Sequence, residues 1–405
     1  MIISGEGTLT PSPLVVIIRD EIIKQGPIPF IRFMELALYH PEFGYYCSPH
    51  DKIGLTADYD TSPSVHPVFA KLLGKQILQM ILALGNKEIS LIEFGAGEGT
   101  LCEGILDFLQ KSAPDIFRRV TYIIIETSSS FQARQKERLI PVYANTVLWK
   151  DKMPKGPIGI VLSNEFVDAL PVHRMRKNKE LYVNWENGKF TERFDSPSSP
   201  ALLSYLHQVD IKPDEVFDYE INLAGLDWIR EVGKSLKKGF VMTIDYGYPA
   251  HQLYHPSRNR GTLLCYYKHT VCEDPYAHIG EQDMTSHVDF TSLAKVGEEV
   301  GLNVLGFTDQ THFLMGLGIT HEMQIVAENM EESDEAKRNF LAMKELMAPN
   351  KMGKTFKILI QEKGTVPCEG ITSPIALDGL AFRAFAKDAL MRYNIPVGVE
   401  TFQPK

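Results

Sequence analysis

Residues 89–100 read Ile-Ser-Leu-Ile-Glu-Phe-Gly-Ala-Gly-Glu-Gly-Thr, and this stretch decides the fold. A short apolar run leads into Glu93, three alternating glycines follow, and a helical pattern begins at Thr100. Glycine lacks a Cβ atom, so a ligand can approach the backbone here, and the first N–H groups of the following helix can bind it. The stretch therefore predicts a buried strand, a ligand-binding turn and a helix.

Strands and helices alternate along much of the chain. With helices between some of them, strands are predicted near residues 89–94, 120–126, 158–163, 239–245, 303–309 and 355–361. Such alternation is typical of an α/β fold in which helices cover both faces of a parallel sheet.

We predict three parts: a helical N-terminal cap at 1–70, a core at 71–362 and a C-terminal extension at 363–405. Two insertions interrupt the core. The first, at about 173–230, contains a hairpin around Asn187-Gly188, which is a strong turn signal. The second, at about 247–290, is rich in Tyr, His, Pro and Gly and shows little periodicity, so we predict a long ordered loop.

The composition excludes several classes of function. The formal net charge of −9 disfavours non-specific binding of nucleic acid. Five cysteines without a C-x-x-C pair favour reduced thiols, and we expect no metal site.

The longest apolar runs are too short to cross a membrane. The N-terminus lacks the pattern of a secretory signal, and Asp20 and Glu21 argue against a transit peptide, so we expect a cytoplasmic location.

Two kinds of ligand compete for the glycine turn. A dinucleotide site has the spacing G-x-G-x-x-G, with an acidic residue about 20 positions later. Here the spacing is G-x-G-x-G, Glu93 precedes it, and Glu126 closes the next predicted strand. This pattern looks like motif I of the class I S-adenosylmethionine methyltransferases, with Glu126 as the acceptor for the ribose hydroxyls. The alternative is that the glycines serve only a tight turn.

Several blocks elsewhere in the chain resemble the MidA family of methyltransferases. Residues 33–46, Phe-Met-Glu-Leu-Ala-Leu-Tyr-His-Pro-Glu-Phe-Gly-Tyr-Tyr, are similar to its N-terminal signature, and residues 58–63 to its next block. Residues 163–173, Ser-Asn-Glu-Phe-Val-Asp-Ala-Leu-Pro-Val-His, look like its most distinctive motif. Further similar blocks follow in the family order at 244–247, 260–262 and 287–290.

The resemblance covers roughly residues 10–362 and implies a class I methyltransferase core with a Rossmann-like sheet, a helical cap and an inserted substrate region. It also implies S-adenosylmethionine as the cofactor and an arginine of a partner protein, such as a respiratory complex subunit, as the substrate. Ala57 and Asp60 depart from the family pattern, and the tail after Lys363 has no recognised counterpart. The resemblance therefore leaves the identity of the partner open.

The motif at 163–173 supplies the predicted catalytic residues. Glu165 and Asp168 follow a predicted strand, at the edge where open α/β sheets bind ligands. Carboxylates suit a guanidinium substrate because they bind its planar fork through two hydrogen bonds. We predict Glu165 as the substrate-binding carboxylate, Asp168 as the second, and Asp245, which ends another strand, as a third candidate. The competing roles are capping of a turn or helix for Asn164 or Asp168 and a plain strand-to-loop turn for Asp245.

The cofactor is predicted to contact Glu93, Gly95, Gly97, Gly99, Glu126, Asn164, Thr61 and Ser62. In this interpretation Glu93 holds the methionine ammonium or orients the turn, and Asn164 contacts the methionine end. Thr61 and Ser62 belong either to a cap over the cofactor or to an ordinary turn. Candidates for the wall of an arginine channel are Tyr45, Tyr46, Tyr266 and Tyr267.

Three functions are open at this point. The first is a protein arginine methyltransferase, and the second is a binding or assembly factor that keeps the cofactor fold without catalysis. The third is a nicotinamide-dependent oxidoreductase, which the G-x-G-x-G spacing disfavours. A homodimer is compatible with each of them.

Overall fold

A computed structural model describes residues 12–47, 66–85, 87–211, 218–268, 270–328, 330, 333–365, 377–381 and 390, and the backbone of 2–3 and 9–10. Thr61 and Ser62, which are predicted to contact the cofactor, lie outside the described residues. The sequence block at 58–63 lies outside them as well.

Helices occupy both ends and the middle of the described chain. The longer ones are Pro13–Gln25, Phe30–Tyr39, Val68–Leu84, Thr100–Ser112, Ser129–Tyr143, Pro200–Gln208, Leu223–Ser235, Phe290–Glu299, Gln310–Leu317, Ile319–Ala327 and Asp334–Met347. Short turns of helix are Pro114–Phe117, Ala250–Leu253, Pro256–Arg258, Met352–Thr355 and Asp378–Leu380. Ser12 caps the first helix by accepting a hydrogen bond from the Val15 N–H, and a proline opens it, because both satisfy the needs of a helix N-terminus.

The central sheet contains seven main strands: β1 (Ile89–Phe94), β2 (Val120–Ile125), β3 (Val147–Lys150), β4 (Ile158–Asn164), β5 (Lys238–Tyr248), β6 (Asn303–Asp309) and β7 (Phe356–Lys363). Their order is β6-β7-β5-β4-β1-β2-β3. β7 is antiparallel to both of its neighbours, and the other neighbouring strands are parallel. A two-residue strand, Val288–Asp289, pairs with the end of β5. The predicted α/β fold is confirmed.

Alternate residues of the strands feed two hydrophobic cores. Leu91 of β1 faces a layer of helices that includes Val68–Leu84, whereas Ile92 faces the opposite layer, which includes Leu223–Ser235. This alternation is the period of two expected of a strand that is buried on both faces. None of the described helices is both long enough and apolar enough to cross a membrane.

A second sheet joins the N-terminal cap to the first insertion. Its strands are Lys179–Glu186, Lys189–Asp195, His173–Arg176, Asp218–Ile221 and, from the cap, Ile28–Pro29. Asn187 and Gly188 have φ angles of 52° and 77°, which are the left-handed values that a two-residue hairpin turn requires. The predicted hairpin is therefore confirmed.

The segment 247–290 contains more regular structure than its composition predicted. It holds the short helix Ala250–Leu253 and a sheet made of Leu264–Tyr267, Thr270–Cys272 and Asp283–Thr285. Strands of three or four residues are too short to show a clear period of two, so the sequence indicated only an ordered loop. The boundaries of the cap, core and extension stay predictions.

The helices Val68–Leu84 and Thr100–Ser112 approach closely at Gly104, where a Cβ atom would lie 2.4 Å from the Cβ of Ala70. We expect Gly104→Ala to lower the free energy of unfolding by about 1–3 kcal/mol through overpacking. Helix propensity alone predicts a gain of about 0.5–1 kcal/mol instead. Denaturant unfolding decides between them, with Gln110→Ala on the exposed face of the same helix as the neutral control. A stabilised Gly104→Ala variant would contradict the close approach.

Candidate functional site

A cavity of about 610 Å³ opens at the carboxyl ends of β1, β2 and β4. Open α/β sheets bind ligands at this edge, and the volume lies in the usual range for small-molecule sites. Predicted site residues that line the cavity are Glu93, Gly95, Gly97, Glu126, Asn164 and Glu165. Aromatic residues that complete much of its wall are Tyr39, Tyr46, Phe94, Phe131, Phe166 and Trp228.

The glycine turn has the geometry that requires glycine. Gly95, Gly97 and Gly99 have φ angles of 67°, 53° and 82°, all in the left-handed region that residues with a Cβ rarely adopt. A Cβ atom at Gly95 would also lie 2.8 Å from the ring of Phe166. Gly99 precedes the helix Thr100–Ser112 and does not line the cavity, so the structure places it in the turn and away from the ligand surface.

Glu93 is a buried carboxyl at the floor of the cavity. Its Oε2 accepts a hydrogen bond from the Tyr122 hydroxyl over 2.8 Å. Burial raises the pKa of Glu93 to about 7, and the bond from Tyr122 opposes that shift. A cation in the cavity would favour the ionised form of this carboxyl.

Glu126 follows β2 and is held by groups on both of its oxygens. The Ser128 N–H donates to Oε1 over 2.8 Å, and the Gln135 amide donates to Oε2 over 3.4 Å. Burial raises the pKa of Glu126, and these hydrogen bonds oppose the shift. The carboxylate thus has a fixed orientation at the cavity wall.

Gln135 is a residue of the site that the sequence analysis missed. Its amide nitrogen also donates to the Gly97 carbonyl over 2.8 Å, and its amide oxygen accepts from the Trp149 ring over 2.9 Å. It therefore ties the glycine turn to Glu126. Gln135 lies four residues from both Phe131 and Leu139, in the buried stripe of the helix Ser129–Tyr143. A polar residue in that apolar stripe is the signal that could have revealed it.

Asn164 and Glu165 lie together where β4 ends. The Asn164 amide donates to Glu165 Oε1 over 2.9 Å, and the Tyr246 hydroxyl donates to Glu165 Oε2 over 3.1 Å. Asn164 Oδ1 is buried without a hydrogen-bond partner among the described residues, which leaves an acceptor for a ligand. Glu165 has a φ of 52°, and such a conformation in a residue with a Cβ is often found at functional sites.

Asp245 supports this turn from behind. Its Oδ2 accepts from the N–H groups of Phe166, Val167 and Asp168 over 3.3, 2.9 and 3.3 Å, and its Oδ1 accepts from the Tyr246 N–H over 2.9 Å. Burial raises the pKa of Asp245 to about 7, although these four donors oppose the shift. Asp245 is fully buried and does not line the cavity. This geometry favours a positioning role over the predicted catalytic one.

Asp168 is buried behind the cavity wall and does not line the cavity either. Its Oδ1 has no hydrogen-bond partner among the described residues. Burial raises the pKa of Asp168 well above its usual range, and the neighbouring charges of Asp245 and Glu165 add to the shift. Its carboxyl also has a hydrogen bond with the backbone of Ala169, the next residue, so capping of the turn stays an alternative.

Comparison with known proteins shows the family to which the chain belongs. Residues 72–308, well over half of the chain, match the family model described as an S-adenosyl-L-methionine-dependent methyltransferase. The chain belongs to this methyltransferase family. A Burkholderia thailandensis protein solved with S-adenosyl-homocysteine bound is 31% identical, with a TM-score of 0.79 over 93% of this chain and 98% of that one. The predicted class I methyltransferase fold and the predicted S-adenosylmethionine cofactor are confirmed.

Curated relatives extend the match beyond the family model. A Drosophila melanogaster protein named mitochondrial protein arginine methyltransferase NDUFAF7 homolog is 25% identical over 90% of this chain and 86% of its own length. The Danio rerio protein arginine methyltransferase NDUFAF7 is 27% identical over 84% of each chain. These relatives confirm the resemblance to the MidA family.

The same relatives correct one prediction. They are named as mitochondrial proteins, so the expected cytoplasmic location is wrong. The argument against a transit peptide rested on Asp20 and Glu21, which belong to the helix Pro13–Gln25 of the folded cap. Acidic residues of a folded helix carry no information on targeting.

The residues that line the cavity are of the kinds that S-adenosylmethionine requires. The glycine turn leaves the backbone open, Asn164 Oδ1 offers a buried acceptor, and Glu126 lies at the strand end where the family pattern places the ribose acceptor. Which of these groups contact the cofactor stays a prediction.

Glu93 predicts a pH dependence of stability. Its pKa is raised above the value of the unfolded chain, so the native state holds a proton that the unfolded state has already lost. Stability should therefore fall as the pH rises from about 4.5 to about 7, and then level off. Glu93→Gln should flatten this part of the curve of melting temperature against pH. An unchanged curve would show that Glu93 titrates normally.

Gln135→Ala should weaken the binding of S-adenosylhomocysteine by about tenfold, because it releases Gly97 and Glu126 together. Titration calorimetry measures this effect. Gln132→Ala is the matched control, since Gln132 donates to the Glu126 carbonyl and not to its carboxylate. Equal effects of the two substitutions would argue against a specific role for Gln135.

Proposed function

We propose that this methyltransferase transfers methyl groups from S-adenosylmethionine to an arginine side chain of a partner protein. The observation that carries the proposal is the carboxylate of Glu165, which lines the cofactor cavity and has a hydrogen-bond donor on each oxygen. The names of the curated relatives, protein arginine methyltransferases, support the same substrate.

Glu165 is suited to orient a guanidinium group. The donors from Asn164 and Tyr246 fix the plane of its carboxylate, and a fixed plane matches the planar fork of arginine. The cofactor supplies an activated methyl group on a sulfonium. Transfer then depends on holding the nucleophilic nitrogen in line with that methyl and on excluding water.

Asp168 and Asp245 act around Glu165 in this proposal. Asp168 is proposed to respond to the charge of the ligand: burial and the nearby carboxylates favour its neutral form, and a cationic substrate would favour its ionised form. Asp245 holds the backbone of the turn that carries Glu165. Glu165 is thus the proposed catalytic residue, and Asp245 is a positioning residue.

On the cofactor side, Glu93 is proposed to hold the methionine ammonium through its buried carboxylate, and Asn164 Oδ1 to accept from the same end of the molecule. Glu126 is proposed to accept from the ribose hydroxyls, with Gly95 and Gly97 allowing close approach of the backbone. Thr61 and Ser62 stay candidates for the cap. A homodimer also stays a prediction.

Glu165→Gln should lower the rate of methyl transfer by at least about 100-fold, because a neutral amide cannot balance the guanidinium charge. The affinity for S-adenosylhomocysteine should change by less than about threefold, since the cofactor residues are retained. Transfer of labelled methyl groups into extracts of cells that lack this chain measures the rate, and calorimetry measures the affinity. Glu186→Gln, on the exposed hairpin, is the control.

Mass spectrometry of arginine methylation, in cells with and without this chain, tests the substrate class. We expect at least one methylated arginine that disappears without the chain and returns with the wild type but not with Glu165→Gln. Full restoration of methylation by Glu165→Gln would overturn the catalytic role of Glu165, whereas partner maturation that Glu165→Gln supports without methylation would favour a non-catalytic assembly factor. A methyl group found only on residues other than arginine would overturn the proposed substrate.

A further inference from the structure

Tyr46 joins three parts of the molecule that are far apart in sequence. It follows the helix Phe30–Tyr39 of the cap, and it lines the cofactor cavity. Its hydroxyl donates to Asp283 Oδ1 over 2.6 Å, and Asp283 belongs to the second insertion. Its main-chain carbonyl accepts from the Ser128 hydroxyl over 3.0 Å, and Ser128 belongs to the core.

Ser128 connects this contact to Glu126, the proposed acceptor for the ribose hydroxyls. Its N–H donates to Glu126 Oε1 over 2.8 Å, and its hydroxyl oxygen accepts from the Phe131 N–H at the start of the helix Ser129–Tyr143. Three hydrogen bonds, joined through the covalent frames of Tyr46 and Ser128, therefore link Asp283 to Glu126. A shift of Tyr46 would move Ser128, whose N–H group orients the carboxylate of Glu126.

The bond between Tyr46 and Asp283 has the length of a strong, charge-assisted hydrogen bond. Asp283 is buried, and its Oδ1 also accepts from the Met284 N–H over 2.8 Å. Its strand, Asp283–Thr285, places Asp283 opposite Tyr266 in the small sheet of the insertion. The acceptor is thus also held in place by its own sheet.

We propose that Tyr46 and Asp283 are positioning residues for the cofactor, acting on Glu126 through Ser128; this rests on the role proposed above for Glu126. The cap has a second anchor, because the Tyr39 hydroxyl donates to the Ala169 carbonyl over 2.9 Å. The ring of Tyr46 also packs against Tyr39 and Tyr45, with centroids 5.3 and 5.1 Å apart. Loss of the Tyr46 hydroxyl alone therefore leaves the cap packed and releases only the link to the insertion.

The test is a double-mutant cycle read by the affinity for S-adenosylhomocysteine. Tyr46→Phe should weaken binding by about tenfold, and Asp283→Asn by about threefold, because the amide keeps an acceptor but loses the charge. The double variant should bind no more weakly than Tyr46→Phe alone, since both substitutions remove one interaction. The melting temperature of the ligand-free Tyr46→Phe variant should stay within about 2 °C of wild type, which a merely structural role would not predict.

Matched controls remove the same chemical groups at positions away from the cofactor cavity. Tyr182→Phe removes a hydroxyl that donates to the Ser196 carbonyl in the hairpin, and Asp274→Asn alters an exposed acceptor in the same insertion. Both should leave the affinity unchanged. Tyr46→Phe with wild-type affinity, or additive losses in the double variant, would overturn the proposal. A chain that behaves as expected here but methylates no arginine would instead overturn the proposed substrate.

Discussion

The carboxylate of Asp245 holds the turn on which the catalytic side of the site is built. Three successive N–H groups, from Phe166 to Asp168, point at one oxygen of this side chain. Each buried N–H left without a partner costs about 1–3 kcal/mol, so the turn and the carboxylate stabilise each other. The turn starts with Glu165 in the left-handed region, a conformation that costs about 1–3 kcal/mol and persists only when its surroundings enforce it. Asp245 supplies that enforcement at the end of β5.

The electrostatics of the site follow from the same burial. Glu93, Asp168 and Asp245 all have raised pKa values because their carboxyl groups are removed from water. A cation beside a buried carboxyl favours its ionised form, because the positive charge offsets the interactions with water that burial removed. The sulfonium and ammonium groups of S-adenosylmethionine are cationic, and so is the guanidinium proposed as the acceptor. Of these three carboxyls only Glu93 lines the cavity, whereas Asp168 lies behind its wall and Asp245 accepts from four N–H groups.

The sequence predicted the parts of the fold that short patterns encode. The alternating strands, the glycine turn, the Asn187-Gly188 hairpin and the strand-end position of Glu126 each depend on a few neighbouring residues. It did not predict that β7 is antiparallel, because an apolar run reads the same in either direction. Nor did it predict the roles of Gln135 and Asp245, which depend on contacts between residues 38 and 79 positions apart. Short sequence patterns therefore locate the ligand-binding turn, whereas tertiary contacts decide which carboxylates face the cavity.

The late position of β7 has a consequence for the growing chain during synthesis. β5 lies between β4 and β7, and β7 is formed by Phe356–Lys363, more than a hundred residues after β5 ends. Until that segment leaves the ribosome, β5 presents an unpaired edge, and exposed edges favour pairing with other chains. The strands that carry Glu93 and Glu126 can pair much earlier, because β1 and β2 are close in sequence. The cofactor half of the sheet can thus assemble first, and the half that carries Asp245 is completed only when nearly the whole chain has been made.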